Sequence, residues 1–245
     1  MTSDEAPSLE ELEAQVKMST SKKHKRELTI IVDLMQSYID GFNLMDSFTL
    51  TESNEIQYAW LLLLTQSFRS MRCALLTMYI GYYGEAMSLL RIAVEDWLAA
   101  EDCQKTPRTI EALLHNKQLQ LNWGNIAQSV NARKIVYEGD YKHLSRFTHV
   151  SKLSLAVLRD PDINDLRIRP AYDEVLFLSC CEMLIRNAIR MAPFMLSFLS
   201  KQADPNLAGS WSKAVELRIQ QAGDWLREQQ KKYGKKGIIS PNNAD

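Results

Sequence analysis

Arg91 and Glu95 stand four residues apart inside the run Gly84-Glu-Ala-Met-Ser-Leu-Leu-Arg-Ile-Ala-Val-Glu-Asp-Trp97. At about 100° per residue, Leu89, Leu90, Ala93, Val94, Trp97 and Leu98 share one helix face, and the two charges stack at its edge. As a solvated i,i+4 pair they are worth a few tenths of a kcal/mol. At the rim of an apolar face, however, the arginine is partly desolvated and must be paired, which makes the same residues a candidate binding pair. A second run, Tyr141-Lys-His-Leu-Ser-Arg-Phe-Thr-His149, sets Ser145 and His149 on one side, with Lys142 and Arg146 close by and Leu144 and Phe147 pointing away. A hydroxyl, an imidazole and two cations on one face suit an anion or a phosphate. Histidine's unperturbed pKa lies near neutrality, which makes His149 a candidate general acid or base. The same face also reads as a solvated surface beside a hydrogen-bonded structural histidine.

Other chemistries find less support. The Glu111/His115 and Asp140/His143 spacings lack the second half that a di-iron bundle needs, so no metal is expected. There is no Gly-x-Ser-x-Gly elbow, no Gly-x-Gly-x-x-Gly and no P-loop, and no cofactor is expected. Two basic clusters, Lys22-Lys-His-Lys-Arg26 and Lys231-Lys-Tyr-Gly-Lys-Lys236, could touch phosphates. They read better as solvated helix-end charges, those at the end of the last helix complementing its dipole.

The elements that must hold these residues read as helices throughout. Ser8, with Glu11 three residues on, opens a short helix over 8–16, followed by a polar basic hinge at 19–25. Apolar spacings of three and four predict helices over 26–45, 55–79, 82–104, 108–121, 125–138, 141–158, 172–199 and 207–233. Gly81 and Gly84 mark a turn or a helix start, Gly139 and Asp140 a C-cap and the next N-cap, and Pro193 a kink. The expected fold is an all-α, single-domain bundle of about six to eight helices. Residues 1–25 form an N-terminal helix and basic hinge, 26–233 the bundle, and 234–245 a polar tail.

Composition fits this organisation. With 9 glycines and 7 prolines in 245 residues there are too few turn signals for an all-β fold. A net charge of −1 exerts no long-range pull on nucleic acid or an anionic membrane. Four cysteines without Cys-x-x-Cys spacing indicate free thiols. The acidic N-terminus lacks a signal-type apolar core, and the densest apolar run, 59–64, is too short to span a bilayer. A cytoplasmic protein without a membrane partner is expected.

The two runs also carry a resemblance. Tyr83, Gly84, Glu85, Ala86, Leu89, Leu90, Arg91 and Glu95, followed by Tyr141, Ser145 and His149, resemble a bacterial all-helical family of unknown function near the HEPN superfamily (higher eukaryotes and prokaryotes nucleotide-binding) and abortive-infection proteins. The resemblance spans roughly residues 60–158. It implies a helical bundle, often a homodimer, sometimes with metal-independent ribonuclease activity. The nuclease motif of such proteins is an arginine, four to six residues, then a histidine. With His149 as that histidine, the arginine would fall at Leu144, His143 or Lys142, and none is arginine. Arg91, Glu95, Ser145 and His149 carry over. Two functional readings follow. One is an interaction or regulatory protein, linked to defence or stress, with the Arg91/Glu95/Ser145/His149 cluster ordering its core or binding a ligand. The other is an RNA-binding protein or ribonuclease with His149 as acid or base and Lys142 or Arg146 holding phosphate. In a third, purely structural reading, the pairs fix helix register.

Overall fold

The computed structural model describes residues 7–45, 55–106, 109–111, 121–148, 170–202 and 205–234. Among these the protein is all-α, with no strand. The helices are α1 (Leu9–Lys23), α2 (Lys25–Asn43), α3 (Glu55–Tyr79), α4 (Tyr83–Cys103), α5 (Trp123–Ser129), α6 (Lys142–Thr148), α7 (Glu174–Gln202) and α8 (Pro205–Tyr233). A π-helical segment, Arg133–Tyr141, runs directly into α6.

α4 is the axis. Its Leu90, Ala93, Val94 and Leu98 are fully buried, and Ala86, Met87, Ala99 and Ala100 extend that burial around much of its circumference. Burying a side chain of leucine size stabilises by roughly 1.5–3 kcal/mol, so a helix enclosed in this way is the core's main anchor. α3 returns along α4 as a tight hairpin, tied where the Trp60 indole donates to the Ala100 carbonyl at 2.9 Å. The turn needs Gly81, whose φ is +96°. A Cβ there would also lie 3.1 Å from backbone atoms of Ala171.

α7 packs on α3 and α4, and α2 and α8 close its outer side. Buried donors set their registers: Tyr38 donates to the Ala188 carbonyl at 2.6 Å, and Trp211 to the Ser37 carbonyl at 2.8 Å. The π segment and α6 cover the remaining flank of α4. α1 carries the expected capping box at Ser8 and Glu11.

Three local expectations are corrected. The helix that opens at Ser8 does not end at 16, and 19–25 is not a hinge. Helix α1 continues to Lys23 because Val16 and Thr20 are buried, and the chain breaks only at His24. That histidine is itself buried, bonded to the Tyr172 hydroxyl at 2.7 Å. The helix expected over 125–138 is shorter. It ends at Ser129, and Asn131 takes the left-handed conformation at φ 59°. Gly139 and Asp140 do not separate two helices. The π segment passes through both, and the Asp140 carboxylate reaches Arg190 of α7 instead of capping its own chain. Residues 149–158, expected to extend α6, and most of 108–121 lie outside the described residues.

Candidate functional site

The pair on α4 forms. Arg91 Nε lies 3.4 Å from Glu95 Oε1, and both side chains are about four-fifths buried. Arg91 also crosses to α6, where Nη1 donates to the Thr148 hydroxyl at 3.0 Å. Thr148 donates in turn to the Ser145 carbonyl at 2.9 Å, and the Ser145 hydroxyl to the Tyr141 carbonyl at 2.8 Å. Both hydroxyl protons therefore turn back into α6. Arg91 Nε is buried without a directed hydrogen bond among the described residues, so its contact with Glu95 is ionic.

Burial pushes the Glu95 carboxyl above its ordinary pKa, with the Arg91 charge and the Tyr141 hydroxyl opposing the shift. Burial likewise raises the Tyr141 phenol, helped by the Glu95 charge and opposed by Arg91. Arg91, Glu95, Tyr141, Ser145 and Thr148 thus form one half-buried seam between α4 and α6. The helix spacing explains this: residues four apart on each rod turn the same edge toward the crossing.

The other expected residues fall differently. Lys142 is exposed and held by Glu138 at 2.5 Å, over the Tyr137 ring. Arg146 is exposed. His149 lies outside the described residues, directly after Thr148. His115, the far member of the Glu111 pair, also lies outside them. Among the described residues no three His, Cys, Asp or Glu side chains gather as a metal site.

Beside the seam lies a second polar cluster that the sequence reading did not single out. Asp140, nearly fully buried in the π segment, pairs with Arg190 and lies 3.7 Å from Arg186 of α7. Glu182, also buried, holds Arg186 at 2.5 Å. The buried Asn187 accepts from Arg190 at 3.3 Å and donates to the Leu90 carbonyl at 3.1 Å, one residue before Arg91. This cluster therefore abuts the seam through Leu90 on α4 and Tyr141 beside Asp140. A signal existed: in the apolar helix α7, Glu182, Arg186 and Arg190 recur at intervals of four. The π segment delivers Asp140 to the interior. His143 on α6 has its imidazole pKa lowered by burial and by the Arg146 charge.

Asp96, one residue after Glu95, is buried, with no hydrogen-bond partner for Oδ2 among the described residues. Burial, reinforced by the Glu95 charge, pushes its carboxyl up to about 8.

Compared with family models, curated proteins and solved structures, the chain matches none. Among the described residues no helix is long and apolar enough to cross a membrane.

Proposed function

We propose that this chain is an interaction or regulatory module of the cytoplasm, linked to defence or stress, whose α4–α6 seam fixes two helices and offers a guanidinium to an anionic group. The observation that carries the reading is Arg91. It bridges two helices, is only partly exposed, and keeps a buried Nε with no directed acceptor. An arginine in such a position recognises planar anions by its fork of donors, which lysine lacks. Calorimetric titration with inorganic phosphate and with mixed-sequence RNA tests this. Binding that weakens in Arg91→Lys supports the reading, and identical binding by both proteins removes it. The homodimer or other protein partner implied by the resemblance belongs to the same proposal, and sedimentation velocity on the full chain tests the dimer.

A specific contact favours a second reading, a HEPN-like RNA-binding protein or metal-independent ribonuclease. The arginine absent at the motif spacing has a counterpart from another helix. Arg91 reaches Thr148, the immediate neighbour of His149. In this reading His149 moves the proton and Arg91 holds phosphate charge. Lys142 serves less well, being tied to Glu138. The test is incubation with mixed RNA. Cleavage lost in His149→Ala supports the enzyme, binding without cleavage supports the RNA-binding form, and neither leaves the interaction module.

A further inference from the structure

The fold brings together the two basic clusters that the sequence holds about two hundred residues apart. Arg26, in the first turn of α2, makes a bidentate pair with Glu228 near the end of α8, at 2.6 and 3.0 Å. The antiparallel packing of α2 on α8 therefore sets Lys22, Lys23 and Lys25 beside Lys231 and Lys232, all of them exposed. Between α2 and α8 runs an open groove of about 830 Å³, with Lys25 and Lys231 on its walls and Ile30 contributing an apolar stretch.

The carboxylates in this region are largely committed. Glu228 is held by Arg26 and Asp224 by Arg227, while Glu27 accepts from the buried Trp225 indole at 3.0 Å. Asp33 and Glu174 remain to oppose the five lysines. Lys22, Lys25 and Lys231 have no ion pair among the described residues. Lys23 and Lys232 lie over the rings of Tyr172 and Tyr233, at 4.2 and 4.8 Å from the centroids. Dipole complementarity accounts for lysines in the last turns of α1 and α8. It gives no reason for those two ends to meet beside the basic start of α2 around a groove.

We propose that this end of the bundle binds single-stranded nucleic acid, with the lysines on phosphates and the strand lying in the α2–α8 groove. A concave slot with cations on both walls suits a narrow flexible polyanion. A flat anionic bilayer would meet the lysines but leave the groove unfilled. The surface shares no residue with the α4–α6 seam, and the proposal does not rest on the function argued for that seam.

The test is fluorescence anisotropy of the full chain with a labelled mixed-sequence RNA or DNA single strand of about 20 nucleotides, over a salt series. With the five lysines on phosphates, log K should fall against log salt with a slope of about −3.5. The triple variant Lys22→Glu, Lys25→Glu, Lys231→Glu should weaken binding at least about tenfold and flatten that slope. The triple glutamine variant should give a smaller loss in the same direction. All three side chains are exposed, so an unchanged thermal melt establishes that the fold survives. Lys213→Glu, a charge reversal at an exposed position of α8 outside the groove lining, should bind as the parent does. No binding by the parent, equal binding by the triple variant, an equal loss in Lys213→Glu, or tighter binding to phosphatidylserine vesicles than to the oligonucleotide would each overturn the proposal.

Discussion

The Arg91 guanidinium of α4 donates to the Thr148 hydroxyl at the end of α6, 57 residues later. The same guanidinium neutralises Glu95 one turn along its own helix. One side chain thus couples the central helix to the flanking one. Arg91→Ala should destabilise the fold by about 1–3 kcal/mol, because Glu95 would remain largely buried without its counter-charge. The loss of Arg91 should raise the Glu95 pKa further above its unfolded value. The folded state would then hold a proton that the unfolded state releases, so the cost should grow with pH. Urea melts at about pH 5 and about pH 8 check this, and an equal cost at both would refute the coupling.

Asp140 anchors the π segment to α7 through Arg190 and Arg186. Asp140→Ala would leave two guanidiniums beside an empty site, at a cost of about 3–5 kcal/mol. Because Asp140 and Arg190 share one contact, the double variant should cost less than the sum of the single ones. Strict additivity in that cycle would show that the pair does not act as a unit.

Asp96 makes a pH-dependent prediction of definite sign. Its folded pKa of about 8 lies above the ordinary 3.8, so between those values the folded chain retains a proton that the unfolded chain gives up. Its contribution to stability is present at low pH and is lost as pH rises, at up to about 1.4 kcal/mol per pH unit. Asp96→Asn should therefore gain stability relative to the parent from about pH 5 to about pH 8. A gap between the two proteins that stays constant with pH would contradict the buried protonated carboxyl.

Gly81→Ala should lower stability by more than about 1 kcal/mol, since the new methyl group meets both an unfavourable φ and the Ala171 backbone. An unchanged thermal midpoint would mean that the α3–α4 turn and the chain before α7 are not held as described.

The helices were legible because periodicity is local. Apolar spacings in α3 and α4, and the capping box at Ser8, involve residues within a turn or two of each other. The Arg91/Glu95 pairing followed from the same arithmetic. The π geometry at Gly139–Asp140 was not legible. A glycine followed by an aspartate signals a cap in isolation, and only the guanidiniums of α7 make a continuous path into the interior favourable for Asp140. Likewise Pro-free, basic 19–25 looked like a hinge, while Thr20 and His24 turn out to be buried against distant parts of the chain.

From sequence came the helical class, the extents of the long helices, the missing nucleotide-loop and hydrolase signatures, and Arg91, Glu95 and Ser145 of the α4–α6 seam, but not Thr148. All of these depend on neighbours along the chain. Tertiary structure decided which charges meet: Arg91 with Thr148, Asp140 with Arg190, and the lysines at 22–25 with those at 231–232. Such meetings depend on how rods of hydrophobic surface cross and on which polar groups that crossing removes from water, and no local pattern encodes either.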